Sequence, residues 1–297
     1  YKGKFVEAIP HVRDEIIERI ITAGEKAQSD ITVVEIGGTI GDFQNALFID
    51  AARVIRLKYP RDVIFVMVSY LPVPGTLGEM KTRPTQHAVS QLNSYGVQPD
   101  ILIARSTHVL DQKRKEKLAI SCNVPSENII SAPDVDSIYD VPTNFERDKL
   151  SDVLIEELEL DAKDSDLSDW NAFAKKAHNG TGQVKIGIVG KYFDTGDFVL
   201  SDAYLSVIEA IKFSAATLGI KAQIDWLNAK TYESDPEKVS ELSGYDGIIV
   251  PGGFGETGIE GKINAIRFAR ENKIPYFGLC YGMQLMTVEY ARNVVGL

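Results

Sequence analysis

The segment 274-IPYFGLCYGMQLM-286 decides how the second half of the chain is read. An apolar run from Ile274 to Phe277 meets Gly278-Leu279-Cys280-Tyr281-Gly282, and a helix-like run follows. In an open α/β sheet, reactive groups sit at the carboxyl ends of strands. A G-x-nucleophile-x-G turn between strand and helix pushes one side chain out at that edge, and its glycines let the backbone turn without clashes. The chain has two cysteines, and Cys280 takes the nucleophile position of such a turn. A helix starting just beyond it would point N–H groups at the sulfur and favour thiolate. A free cysteine is more often a small buried packing group. The glycine spacing turns the reading toward a nucleophile.

Working outward, 250-VPGGFGETG-258 ends another apolar run, so Gly252 and Gly253 are expected at the same sheet edge on a neighbouring strand. Backbone N–H groups from such a turn, with the N–H after the nucleophile, make an oxyanion hole. Further upstream, 184-VKIGIVGKY-192 and 221-KAQIDWLNA-229 read as strands, with helices over 202–218 and near 259–271. The first half reads likewise. Ile16, Ile17, Ile20 and Ile21 predict a helix over 11–27; buried strands are predicted at 31–38, 63–73, 100–107 and 128–131, and helices near 44–58 and 85–95. Strands alternating with helices predict parallel sheets of the α/β class. Between the halves lies an acidic, polar stretch, 161-DAKDSDLSDW-170, ending in 178-HNGTGQ-183. The expected organisation is two parallel-sheet, Rossmann-like domains over 1–160 and 184–297, joined by a linker over 161–183.

Composition bounds the function. With 44% hydrophobic and 25% charged residues the chain is ordinary globular protein. No apolar run reaches the roughly 20 residues that span a bilayer, so no membrane role is expected, and no signal peptide opens the sequence. A net charge of −10 argues against a nucleic-acid surface, although a local basic patch still suits a nucleotide. Two cysteines form no disulfide framework and have no metal-ligand spacing, which fits a reducing cytoplasm.

Three features of the first half carry chemistry. Glu35 ends the run ITVVE before Gly37-Gly38; it is either a carboxylate placed for a magnesium ion at a strand end or a surface residue in a turn. In 81-KTRPTQH-87, Lys81 and Arg83 flank Thr82, with Thr85, Gln86 and His87 beyond. Two cations with hydroxyl and amide donors suit a triphosphate, or else form a solvated basic loop. The run 113-KRKEK-117 reads as a solvated helix face, and Cys122 as a packing residue.

Taken together, 9-IPHVRDEI-16, 33-VVEIGGTIGD-42, 80-MKTRPTQH-87, 98-QPDILIARS-106, 134-DVDSIYDVP-142, 188-IVGKY-192, 202-DAY-204, 250-VPGGFG-255 and 275-PYFGLCYGMQ-284 resemble the CTP synthase family, in order and over essentially the whole chain. Its last part is similar to class I glutamine amidotransferases. The resemblance implies an amidoligase domain and a glutaminase domain. In such enzymes ATP phosphorylates UTP, ammonia from glutamine displaces the phosphate to give CTP, GTP activates, and CTP inhibits at a site overlapping that for UTP. It also implies a homotetramer. For the glutaminase it implies Cys280 as nucleophile, with Gly252, Gly253, Phe254, Tyr281 and Gln284 at the glutamine and oxyanion positions. For UTP and CTP it implies Asp42, Phe43, Gln44, Lys81, Thr82, Arg83, Pro84, Thr85, Gln86 and Lys117. For ATP it implies Arg105, Pro133, Asp134 and Val135, and for Mg²⁺, Glu35.

Two positions depart from the family pattern. Gln44 stands where glutamate is usual, which costs a charge in the grip on CTP, and Arg83 stands where lysine is usual, which keeps it. Two parts are not found. No G-x-x-x-x-G-K-[ST] loop occurs, and His11, His87, His108 and His178 all precede Cys280, whereas the family's His-x-Glu pair follows the cysteine. The chain is therefore expected to be an internal piece with both domains incomplete, and inactive alone. Two other readings stand beside this one: a class I amidotransferase with another synthase half, and a degenerate paralogue kept as a nucleotide-binding or filament-forming scaffold.

Overall fold

The computed structural model describes residues 2–75, 78–162, 166–191, 194–195, 198–199, 204–253 and 255–297, the pairs 194–195 and 198–199 by backbone alone. The chain divides into two compact units, Tyr1–Leu167 and Ser168–Leu297.

The first unit runs α1 (Arg13–Ala27), α2 (Ala46–Lys58), β1 (Val66–Tyr70), α3 (Arg83–Ser94), β2 (Ile101–Ser106), α4 (Gln112–Cys122), β3 (Ile129–Pro133), α5 (Val141–Arg147) and α6 (Leu150–Glu157). Its three strands pair in parallel, in the order β1-β2-β3. Alternation along β2 sends Leu102 and Ala104 into a core with Val89 and Leu92 of α3 and Leu118 of α4. Ile101 faces the other way, onto Ile130 of β3 and Val153 of α6. A strand buried on both faces reads as a continuous apolar run, which is what 101–104 shows. Local chemistry sets the helix ends. The Asp111 carboxylate accepts from Arg114 N at 2.8 Å to cap α4, and Asn123 closes it in the left-handed region.

The segment 31–38 departs from expectation. It forms no strand, and Val33 is 90% exposed. A strand needs a neighbour to take its N–H and C=O groups. The described sheet begins at β1, whose Val68 is itself 60% exposed. With water on both sides, the valines of 31–38 gain no burial from an extended pairing, and their β propensity is not expressed.

The second unit runs α7 (Ser168–His178), β4 (Gly182–Gly190), β5 (Asp194–Thr195), β6 (Phe198–Val199), α8 (Leu205–Leu218), β7 (Ile220–Asn228), α9 (Ala229–Ser234), β8 (Gly247–Val250), α10 (Ile259–Glu271), β9 (Tyr276–Gly278) and α11 (Tyr281–Tyr290). Its main sheet is parallel, in the order β7-β4-β8-β9; β5 and β6 form a separate two-stranded antiparallel ribbon. One face buries Val189, Leu227, Ile248 and Val250 against Ile263 and Ile266 of α10 and Leu285 of α11. The other packs Ile188, Ile224 and Ile249 against Val207 and Ile211 of α8. Helix α7 lies in the stretch read as linker, and its Phe173 ring stacks on Phe213 of α8 with centroids 4.8 Å apart. The chain leaves β4 toward β7 on one side and leaves β8 toward β9 on the other. That reversal is the switch point where α/β sheets open a crevice at their carboxyl ends.

Candidate active site

Cys280 occupies the turn between β9 and α11, with φ 49° and ψ −104°. A non-glycine residue rarely adopts positive φ, and strain of this kind costs about 1–3 kcal/mol. The surrounding packing holds it there. A Cβ on Gly278 would meet the carbonyl of Gly282 and Met283 N at 2.7 Å, and one on Gly282 would lie 2.0 Å from Val250 O. Both flanking positions therefore need glycine because backbone touches backbone. Leu279 N donates to Val250 O at 2.9 Å, and the Tyr276 hydroxyl donates to Gly282 O at 2.8 Å. These bonds tie the elbow to β8 and β9. The Cys280 side chain is left exposed.

The Gly252–Gly253 turn follows β8, the strand paired with β9. A Cβ on Gly252 would sit 3.4 Å from Cys280 Cβ and 3.9 Å from Sγ. The turn and the sulfur are thus in van der Waals reach. Tyr281 opens α11, so its N–H has no intrahelical acceptor and remains available for an oxyanion. Gln284 lies one turn into α11, exposed, its N donating to Cys280 O at 3.2 Å. Phe254 lies outside the described residues.

Sequence reasoning missed one group beneath this elbow. Lys262 of α10 is 1% exposed, and its Nζ has no hydrogen-bond partner among the described residues. It lies 5.8 Å from the centroid of the Tyr281 ring. Burial, and secondarily the charge of Lys191, push its ammonium down to about 8. A helical lysine in GIEGKIN gives no hint of this from sequence.

In the first unit, a cleft of about 610 Å³ lies between the start of α3 and the face of α4. Lys81, Thr82, Arg83, Gln86 and Lys117 line it, which brings together five residues expected to hold UTP or CTP. Lys113 and Arg114 add two more cations. Their spacing to Lys117 puts all three on one side of α4, a pattern indistinguishable in sequence from a solvated face. The carboxylate of Glu79 also enters the cleft. Thr85 is fully buried and accepts from Ser69 Oγ at 2.9 Å, and neither it nor Pro84 lines the cleft. Asp42, Phe43 and Gln44 are exposed and also lie apart from its lining. Their loop is held elsewhere: Asp42 Oδ2 accepts from Thr39 N at 2.9 Å, and Gly41 lies against Gln91 of α3.

Arg105 and Asp134 meet at 2.9 Å at the carboxyl ends of β2 and β3, beside Pro133 and Val135. Glu35 is exposed in the unpaired segment 31–38. Among the described residues no group of three or more His, Cys, Asp or Glu is arranged to hold a metal. Cys122 is buried, and burial pushes its thiol up to about 11, which leaves it inert. No described helix is long and apolar enough to cross a membrane.

Comparison with known proteins follows the same division. A family profile described as CTP synthase N-terminus matches residues 1–160, and one described as Glutamine amidotransferase class-I matches 199–297. The CTP synthase of Caldanaerobacter subterraneus subsp. tengcongensis is 45% identical over 299 residues, covering 100% of this chain and 54% of that protein. That of Ruminiclostridium cellulolyticum is 43% identical over 298 residues, covering 100% and 55%. A solved Trypanosoma brucei CTPS glutaminase domain with bound acivicin is 41% identical, with a TM-score of 0.35, over 38% of this chain and 42% of that one. The second unit is of the class I glutamine amidotransferase type. The chain as a whole belongs to the CTP synthase family, and it spans about half the length of the curated relatives it matches.

Proposed function

We propose that the full-length protein carrying this chain makes CTP from UTP, ATP and glutamine. The observation that carries the proposal is the strained cysteine elbow of one unit, in the same chain as a cation-lined cleft in the other.

Cys280 Sγ attacks the side-chain amide carbon of glutamine. The Tyr281 N–H and the Gly252–Gly253 turn take up the charge on the amide oxygen. Collapse expels ammonia and leaves a glutamyl thioester, which water then hydrolyses. The thiol proton goes to the His-x-Glu base that the family resemblance implies for the full-length protein, and from there to the departing nitrogen, so that it leaves as neutral ammonia.

In the first unit, Lys81, Arg83 and Lys117 hold the triphosphate of UTP, or of CTP as feedback inhibitor. Asp42, Phe43 and Gln44 contact the pyrimidine nucleotide's ribose region. Arg105, Pro133, Asp134 and Val135 contact ATP. One carboxylate is enough for Mg²⁺ only when nucleotide phosphates complete its shell, and exposed Glu35 fits that limited role. When bound, the ion would neutralise charge on the phosphates of ATP. GTP as activator and a homotetrameric assembly complete the reading, which rests there on the family.

Purified full-length protein should form CTP with glutamine or with ammonia. No CTP from either nitrogen source overturns the proposal.

A further inference from the structure

The cationic cleft of the first unit already contains an anion of its own. Glu79 Oε2 accepts from Lys81 Nζ at 2.5 Å, and its other oxygen lies 3.7 Å from the guanidinium of Arg114. Arg114 is fixed from behind. Its Nε donates to Met80 O at 3.3 Å, and its guanidinium also pairs with Asp111. The hydrogen bond from Lys81, then its charge, and more weakly those of Arg114 and Lys117, hold the Glu79 carboxyl below the ordinary range, so it is ionised near neutrality.

A carboxylate with two oxygens on a lysine and an arginine copies the contacts a phosphate makes with the same groups. It also occupies them. Lys81 and Arg114 approach Glu79 from two different elements, one before α3 and one on α4. An anion at the position of Glu79 therefore bridges the two walls of the cleft.

We propose that Glu79 is a built-in competitor for the nucleotide's phosphates, and that a triphosphate displaces it and takes Arg114 as an additional phosphate contact. This rests on the reading of the cleft as the UTP site. Glu79 and Arg114 lie outside the residue set carried over by family resemblance. On binding, Lys81 exchanges a carboxylate for a phosphate oxygen, and Glu79 turns out to water, where an exposed carboxylate is well solvated.

The test is equilibrium binding of UTP and of inorganic tripolyphosphate to the full-length protein at fixed ionic strength. Variants are Glu79→Gln, Arg114→Ala and Lys117→Ala. Glu79→Gln should bind both probes about threefold or more tightly, on the scale of one exposed ion pair. Arg114→Ala should weaken both probes and lower the salt dependence of binding. Equal or weaker binding by Glu79→Gln, with UTP binding intact in wild type and lost in Lys117→Ala, overturns the competitor role alone. Glu79 would then serve to position Lys81. Unchanged binding in Arg114→Ala removes the added contact. Absence of UTP binding by wild type overturns this inference together with the reading it rests on.

Discussion

Gly282 Cα and Val250 O are packed so closely that a Cβ on residue 282 would stand 2.0 Å from that oxygen. The contact joins the first turn of the helix after Cys280 to the end of the neighbouring strand. It also explains why the second glycine of the elbow cannot vary. The obstacle is a backbone carbonyl, which has no rotamer to give.

Gly282→Ala should therefore push α11 off β8 and lose more than the roughly 1–3 kcal/mol usual for overpacking. Thermal unfolding measures it. Gly252→Ala is the control, because its added Cβ falls at an ordinary 3.4 Å from Cys280 Cβ. Equal losses in the two variants would mean that the elbow relaxes and the contact is not limiting.

Cys280→Ala in the full-length protein should abolish glutamine-dependent CTP synthesis and leave ammonia-dependent synthesis close to wild type. The thioester is needed only to release ammonia. Loss of both activities would assign Cys280 a structural role instead.

Lys262→Met tests the buried ammonium. Below pH about 8 the lysine is charged in both folded and unfolded chains, and the cost of burying it is felt in full. Between about 8 and the unfolded value near 10.4, the folded chain gives up the proton before the unfolded one does, so stability rises with pH. The variant should gain about 3 kcal/mol at pH 7, the worth of the gap between about 8 and about 10.4 at roughly 1.4 kcal/mol per unit. The gain should shrink toward pH 10. A constant difference between the two chains at both pH values would show that packing, not charge, sets the effect.

Gln44→Glu should tighten CTP inhibition about fivefold, the worth of roughly 1 kcal/mol for a charge-assisted over a neutral hydrogen bond. Inhibition constants of parent and variant decide it. Identical values would mean that the exposed turn at Phe43–Asn45 does not grip the inhibitor.

What the sequence made legible was local. The strands over 101–106, 184–190 and 247–250 are apolar, β-branched runs closed by polar or glycine residues, and they are buried by helices on both faces. The run at 31–38 carries the same signal and forms no strand, because composition cannot report whether a neighbouring edge is present. Cys280 was legible because its glycines are adjacent in sequence. Lys113 and Arg114 were not, because a cation on a helix is the same letter whether it faces water or a cleft. Arg105 and Asp134 meet through the parallel register of β2 and β3, in which Ser106 stands opposite Pro133, and no spacing rule reports that pairing.

The backbone at Cys280 has a consequence for how such a protein changes over generations. Glycine is the residue its φ of 49° favours. Replacing Cys280 with glycine would relax the turn and make the fold more stable while removing the thiol on which the proposed thioester chemistry depends. Variants screened only for thermal resistance would drift toward that replacement. On the proposed function, a lineage that keeps cysteine at this position is held there by the need to hydrolyse glutamine.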